Sequence, residues 1–568
     1  MYFQKKKVCT IMIDLKVKPF YLSDEQIKWV EQTMQNMSLE EKIGQLFCPI
    51  GLTEERDELQ KEYLGKHVGG MMYRAVKNGS DMAATHRYLQ EESKIPLLLA
   101  ANLESGGTGI AGDGTDYGCQ MLVAATEQPE RAYELGTVCA KEGTACGCNW
   151  AFAPVADIDF NFRNPITNIR TYGSDPERVR KMALEYVKAI QENGMAAAAK
   201  HFPGDGVDER DQHIVTSINS LSCEAWDESY GKIYKSLIDA GLLSIMVGQI
   251  ALPAYEKEFG QGTEIIRPAT LSPVILQELL RKKLGFNGVI STDATQMIGF
   301  CSAMPRELAV PTAIESGCDI FLFNRSLEED FEFMLKGYEK GILSNKRLNE
   351  AVKRILGLKQ ALKLSEKKKN GVLIQKCEDE VIGCETHRKM AADCADRGIT
   401  LVKEEEEILP LDPRKYPKIY LHILTNDNRE LLEQQYVSLF EKEGFCVKLY
   451  EEDPPEGFAA EKVSEFKKKY DLVVYVVDME NKSNYVTNRL AWNTMHGSNS
   501  QPWFVKEVPT IMISTANPYH LLDAPMIPVY INTYCNTEFT RKALIDKLCG
   551  RSDFKGKSPV DAFCGQGR

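Results

Sequence analysis

Met195-Ala196-Ala197-Ala198-Ala199-Lys200-His201 carries an unbroken apolar run straight into a lysine and a histidine. A run that is apolar on both faces suits a strand buried on both sides, as in a parallel sheet covered by helices. The same form recurs at Val68 to Tyr73, Pro96 to Asn102, Phe152 to Asp157, Leu243 to Gly248, Gly288 to Thr292 and Asp319 to Phe323. Between these runs lie segments with helix punctuation. Ser174 or Asp175 is the cap of one, Pro176 stands in its first turn, Val187 and Ile190 continue its apolar face, and Gly194 stops it. Ser38-Leu39-Glu40-Glu41 reads as a capping box opening another.

Several strands run out into polar residues: Asn102 and Glu104, Asp157 and Asp159, Lys200 and His201, Gln249, Asp293, and Asn324. In a (β/α)8 TIM-type barrel the site is built at the C-terminal rim of the strands, so a closed barrel over residues 20–365 gathers these side chains around one cavity. An open doubly wound sheet is the alternative, but seven strand candidates suit the barrel better. Ser365-Glu366-Lys367-Lys368-Lys369-Asn370-Gly371 is charged and breaker-ended, and residues 366–390 read as a linker. Residues 391–568 read as a smaller α/β sandwich, with strands at Ile419 to Leu424, Leu472 to Val477, Thr510 to Ser514 and Pro528 to Ile531 and a helix at Arg429 to Glu443.

The chain has 568 residues, 43% hydrophobic and 26% charged, enough for two globular domains. A net charge of −12 without a long basic stripe argues against a nucleic-acid partner. The sixteen cysteines are scattered, and Cys146-Gly147-Cys148 lacks the spacing of a metal knuckle, so they are expected to be free thiols, with no metal and no cofactor. Lys5-Lys6-Lys7 is followed by too short an apolar stretch, Val8 to Ile13, for a secretory leader. No run approaches the ~18 apolar residues of a membrane span. Together with the thiols, these features lead to the expectation of a cytoplasmic protein without a membrane partner.

Asp211-Gln212-His213 follows Lys200-His201-Phe202-Pro203-Gly204 closely and pairs a carboxylate with an imidazole. A carboxylate bonded to one ring nitrogen fixes the tautomer and makes the other nitrogen more basic, ready to exchange a proton near neutral pH. A bare D-x-H triplet is more often a solvated turn, so the surrounding motifs carry the weight. His67, His86, His387, His422, His496 and His520 have no such company and read as structural or exposed.

Met37-Ser38-Leu39-Glu40-Glu41-Lys42-Ile43-Gly44-Gln45-Leu46, the stretch Asn149 to Asp157, and Asn164-Pro165 with Arg170-Thr171-Tyr172-Gly173 come in sequence before Lys200 to Gly204. Pro268-Ala269-Thr270-Leu271-Ser272-Pro273 and Leu284 to Asp293 follow, then Gly398 to Lys403, Leu409-Pro410-Leu411 and Lys557-Ser558-Pro559-Val560. In these motifs and their order the chain resembles glycoside hydrolase family 3, over most of its length. The resemblance implies that Asp293 is a catalytic nucleophile forming a glycosyl-enzyme that is resolved with retention. The alternative for Asp293 is a helix cap. Most β-glucosidases of the family take their acid from a Glu in or near the second domain. The β-N-acetylhexosaminidase branch is similar to this chain in its D-x-H, which implies His213 as acid/base and Asp211 as its orienting partner. Lys200, His201 and Arg170 match that branch's contacts to sugar hydroxyls. Their plain alternatives are ion pairs of Lys200 or Arg170 with Asp157 or Asp159, and a core role for His201.

The chain also departs from the family. Asn102 replaces an Asp that normally accepts hydrogen bonds from sugar hydroxyls, and Glu104 is placed to take over part of that role. Thr108-Gly109-Ile110 stands where an Arg is usual, Asp205 where relatives have a second His, and Gln249 where a His is common. The expected activity is a retaining exo-β-N-acetylhexosaminidase acting on small carbohydrate substrates. A β-glucosidase or β-xylosidase, a glycosyl phosphorylase using a neutral imidazole beside phosphate, and a non-catalytic sugar-binding protein are the other readings.

Overall fold

A computed structural model describes residues 13–566 except 76, 261–265, 375–376, 452–460, 484–488 and 493–497. The basic run near the N-terminus and His496 lie outside the described residues. Among the described residues, eight parallel strands close a barrel. They are β1 (Phe47–Cys48), β2 (Gly70–Met72), β3 (Leu98–Ala101), β4 (Trp150–Ala151), β5 (Ala196–Phe202), β6 (Ser244–Val247), β7 (Val289–Thr292) and β8 (Phe321–Leu322). Strands β2 to β7 pair in chain order. The ring is completed where β8 pairs with β1 and where single bridges join Ile50 to Met72 and Ser291 to Ile320.

The alanines of β5 are fully buried and solve a packing problem. Trp150 is in register with Ala196, and its indole reaches across β5 to donate to Ser244 Oγ on β6 at 2.7 Å. Only short side chains on the intervening strand leave room for that ring. Phe152 packs edge-on against Trp150 and Phe323, filling the barrel with aromatic rings. The strand expected over Phe152 to Asp157 is found instead just before it, at Trp150–Ala151, and does not run on, because Pro154 has no N–H to donate. Beyond it the segment returns to β5 only through the Val155–Lys200 bridge.

The outer helices start where their caps dictate. Ser38 caps Leu39–Gly44 in a reciprocal box with Glu41. Asp175 caps Pro176–Glu192 by accepting from the Glu177 amide at 3.0 Å, and Gly194 follows with φ +77°.

The second unit is a six-stranded sheet of β9 (Thr400–Glu404), β10 (Lys418–Thr425), β11 (Cys446–Leu449), β12 (Leu472–Asp478), β13 (Thr510–Ser514) and β14 (Val529–Asn532). Its order is β9-β14-β13-β12-β10-β11, parallel except for the antiparallel β9. Both faces are covered. Ile419, Leu421, Ile423, Val474 and Val476 join one apolar cluster, and the alternate residues Tyr420, Leu424, Val473, Tyr475 and Val477 join the other. This is the period-2 signature of a doubly covered sheet.

The chain's last segment lies back on the barrel. Pro559 accepts from the Ser174 amide at 3.2 Å and from Arg178 at 3.1 Å, beside the loop that carries Arg170. Between Lys363 and Thr400 the structure shows the helices Leu364–Lys369, Glu378–Val381 and Glu385–Gly398. The described cysteines are all free, and among the described residues no helix is long and apolar enough to cross a membrane.

Candidate active site

The C-terminal ends of β3, β5 and β7 and the loops after β4 and β5 supply the polar side chains. Glu104, just beyond β3, accepts a two-pronged pair of bonds from Arg170, both at 2.9 Å, and lies 2.6 Å from Lys200 Nζ. Lys200 also donates to Asn102 Oδ1 at 3.3 Å. Both cations therefore pair with Glu104, and not with Asp157 or Asp159 as the plain reading of the sequence had it. Burial works to raise the Glu104 pKa, but the two cations outweigh it and hold the carboxyl well below the usual carboxylate range. Lys200 is pushed down by burial and by the neighbouring Arg170 charge, with Glu104 opposing. The result is a fixed set of charged donors, the kind that grips hydroxyl groups.

Asp157 serves His201 instead. Its Oδ2 lies 2.6 Å from His201 Nδ1, and its Oδ1 accepts from the backbone amides of His201 at 3.1 Å and Asp205 at 2.8 Å. An ionised carboxylate only accepts, so Nδ1 carries the proton. His201 Nε2 then faces Asp293, 3.9 Å from Oδ2. Asp159 is taken up elsewhere, accepting from Thr167 and from Tyr519 of the second unit.

Asp293 follows β7 directly, and its amide donates to the Val247 carbonyl on β6 at 2.8 Å. Its Oδ1 accepts from the Ala294 amide at 2.6 Å, while Oδ2 is buried without a protein partner. It caps no helix: the next one, Ile298–Cys301, has Met297 at its cap and no side-chain cap bond. Asp293 thus presents one bare carboxylate oxygen on a rigid strand end.

Asp211 and His213 lie in the loop after β5. Asp211 is buried, and its Oδ1 accepts from the His213 amide at 2.8 Å and stands 2.7 Å from His213 Nδ1. The imidazole is 29% exposed, with Nε2 left for a ligand. Asp211, Ile214 and Val215 line a cavity of about 510 Å³ together with Arg489, Tyr519 and Leu522 of the second unit. Gln249 accepts from Thr270 at 2.7 Å and keeps its Nε2 buried and unpaired. Asn324 turns away from the other rim residues to donate to Asp330 at 3.1 Å.

The partners of three residues here were not in the sequence reading: Asp157, read as a strand-end residue or an ion-pair partner of Lys200 or Arg170, holds His201, and Asp205, noted only as standing where relatives have a second His, bonds to Gln212 beneath the dyad. Gln212 gave no signal beyond sitting inside the triplet. Of the remaining histidines, His86 and His387 are buried with bonds to Cys146 O and Glu142, and His422 and His520 are also buried.

Known proteins resemble this chain over most of its length. The model of the glycosyl hydrolase family 3 N-terminal domain matches residues 38–358. A beta-N-acetylglucosaminidase/beta-glucosidase of Cellulomonas fimi is 42% identical over 565 residues, covering 98% of this chain and 99% of that protein. Beta-hexosaminidase A of Pseudoalteromonas piscicida is 27% identical across 72% of this chain and 71% of its own. Among solved structures, the beta-glucoside phosphorylase BglX superposes with a TM-score of 0.92 at 43% identity, over 97% of this chain and 99% of that one. A family 3 beta-N-acetylglucosaminidase from Paenibacillus sp. str. FPU-7 shares the fold at a TM-score of 0.78 and 24% identity, over 93% and 99% of the two chains. With the closed barrel, the sandwich behind it and these full-length matches, the chain belongs to glycosyl hydrolase family 3 and is a glycoside hydrolase.

Proposed function

We propose that this enzyme is a retaining, exo-acting β-glycosidase that removes a terminal β-linked N-acetylglucosamine or glucose from a small carbohydrate. The bare Oδ2 of Asp293 attacks the anomeric carbon as the bond to the leaving oxygen breaks, and His213 Nε2 gives that oxygen its proton. An acceptor then attacks the glycosyl-enzyme from the vacated side, returning the carboxylate. When the acceptor is water, His213 takes its proton, so the two steps together retain configuration. Arg170, Lys200, Glu104, Asn102 and His201 hold the sugar hydroxyls. The cavity beside Asp211 holds the leaving group and then the acceptor.

The observation that carries this reading is the 2.7 Å contact of His213 Nδ1 with the buried Asp211. It leaves Nε2 as the only ring atom able to exchange a proton with a substrate. A second reading has phosphate as the acceptor. It draws on the full-length likeness to a beta-glucoside phosphorylase and on Arg163, Arg210 and Arg489 lining, with Glu209, the cavity beside Asp211. A neutral imidazole, unlike a carboxylate, does not repel an incoming anion.

Initial rates with nitrophenyl β-N-acetylglucosaminide, β-glucoside and β-xyloside, each with and without phosphate, test both readings. The first expects turnover of the acetamido sugar or the glucoside with release of free sugar. Acceleration by phosphate with a sugar 1-phosphate product selects phosphorolysis. Preference for the xyloside contradicts the proposed substrate, and binding without turnover of any of the three contradicts an enzyme.

A further inference from the structure

The Asp211–His213 dyad sits on a loop held from beneath by a chain of buried hydrogen bonds. Gln212, between the two dyad residues, is fully buried. Its Nε2 donates to Asp205 Oδ2 at 2.9 Å, and its Oε1 accepts from the Gln249 amide at 2.9 Å. Asp205, itself buried, accepts through Oδ1 from Asn164 Nδ2 and from the Gly206 amide, both at 2.8 Å. Each polar end of Gln212 therefore has one partner of the opposite kind, and an amide so satisfied has a single orientation. Above it the loop touches the segment that follows Asp293. Ile298 N donates to His213 O at 2.8 Å, and Thr216 Oγ1 donates to Gly299 O at 3.0 Å.

We infer that Asp205 and Gln212 are positioning residues that pin the dyad loop over the site and set where His213 Nε2 stands relative to Asp293. The inference rests on the reading of Asp211–His213 as the acid/base pair. It goes beyond that reading in assigning the loop's geometry to a donor–acceptor chain running from Asn164 through Asp205 and Gln212 to Gln249. An acid that must deliver its proton along one line loses most of its effect when displaced by about 1 Å.

The chain has a direction, and reversing one link tests it. In Asp205→Asn the oxygen keeps its bonds to Asn164 and Gly206, so the new amide nitrogen confronts Gln212 Nε2, donor against donor. In Gln212→Glu two carboxylates face each other. In the double variant the amide introduced at position 205 donates to the carboxylate introduced at position 212, which still accepts from Gln249 N, and the chain is whole again. The assay compares a dinitrophenyl glycoside, whose leaving group needs no proton, with an alkyl glycoside of the same sugar, which needs one.

Each single variant is expected to lose about tenfold or more in kcat/KM, which reports the first step alone, on the alkyl glycoside, within the range a general acid contributes, and under about threefold on the dinitrophenyl glycoside. The double variant is expected to return to within about threefold of the parent on both. If Gln212→Glu does not fold, Gln212→Met, similar in size and lacking both bonds, carries the same single-variant expectation. Single variants at parent activity, equal losses on both substrates, or a double variant no better than the singles would overturn the inference. His213→Ala run alongside separates the two levels. If it shows the selective loss and the single variants do not, the anchor alone is wrong. If it loses both substrates equally, the acid/base reading falls and the anchor with it.

Discussion

The backbone amide of Ile298 donates to the carbonyl of His213 at 2.8 Å, so the loop bearing the imidazole rests on the residues just beyond Asp293. The next residue, Gly299, has no side chain because there is no space for one. A Cβ there would stand 2.5 Å from Gln212 O and 3.0 Å from Val215 O. In an ordinary helix Gly→Ala is favourable, but here Gly299→Ala must push the dyad loop outward. It is expected to lower kcat/KM on an unactivated glycoside about tenfold or more while leaving that on the dinitrophenyl glycoside nearly unchanged. Equal rates with the parent on both substrates would mean that the loop's height does not matter.

His213→Ala is expected to divide substrates by leaving group. Loss of a general acid costs ~10²- to 10⁴-fold where the departing oxygen needs a proton and little where it does not. Values of kcat/KM on an alkyl and a dinitrophenyl glycoside, which report the first step alone, read the difference directly.

Glu104→Gln is expected to weaken both the fold and sugar binding. It strips the anion from Arg170 and from Lys200, which is only 3% exposed, and leaving buried charges unpaired costs roughly 3–5 kcal/mol. Denaturant unfolding checks the first effect and KM the second. Asn102 already touches Lys200, so adding Asn102→Asp should restore part of the lost stability.

His422→Phe is expected to stabilise the protein more at pH 5 than at pH 8. Burial, aided by the Arg429 charge, pushes the imidazole down to about 3, and its ring stacks on Tyr450 at 4.7 Å. The unfolded chain binds a proton near pH 6.5 that the folded protein refuses until about pH 3. Stability held by the neutral ring is therefore present above about pH 6.5 and is lost as pH falls towards 3, amounting to about 2 kcal/mol at pH 5. Burial also pushes His86 and His520 down to about 4, so they add in the same direction. Equal effects of the substitution at the two pH values would contradict a ring held neutral.

The run read at Phe152 to Asp157 starts just past β4, Trp150–Ala151, but six of the eight barrel strands were legible because each coincides with an apolar run several residues long. β1 was not, since a two-residue ladder at Phe47–Cys48 bounded by Pro49 has no period to read. In the sandwich the four interior strands were found, but the edge strands Thr400–Glu404 and Cys446–Leu449 were missed because an edge strand is half exposed and carries little apolar signal. At the site, the sequence nominated Asp293, Lys200, His201, Arg170, Glu104, Asn102, Asp211 and His213, and the fold gathers them at strand ends and the loops that follow. Who pairs with whom was not legible. Arg170 lies 66 residues from Glu104, and Asp157 lies 44 from His201; no local spacing encodes contacts that barrel closure makes.

The most direct test of the two-step mechanism is to trap its intermediate. Treating the enzyme with a 2-deoxy-2-fluoro-β-glycoside bearing a dinitrophenyl leaving group slows both steps, and the good leaving group lets the glycosyl-enzyme accumulate. Peptide mapping by mass spectrometry should find the fluorosugar on Asp293 and on no other carboxylate. Asp293→Asn should fold normally, take up no label and lose at least about 10³-fold in kcat. Label on another residue such as Asp157 or Glu104, or an Asp293→Asn variant that still turns over at the parent rate, would contradict the account.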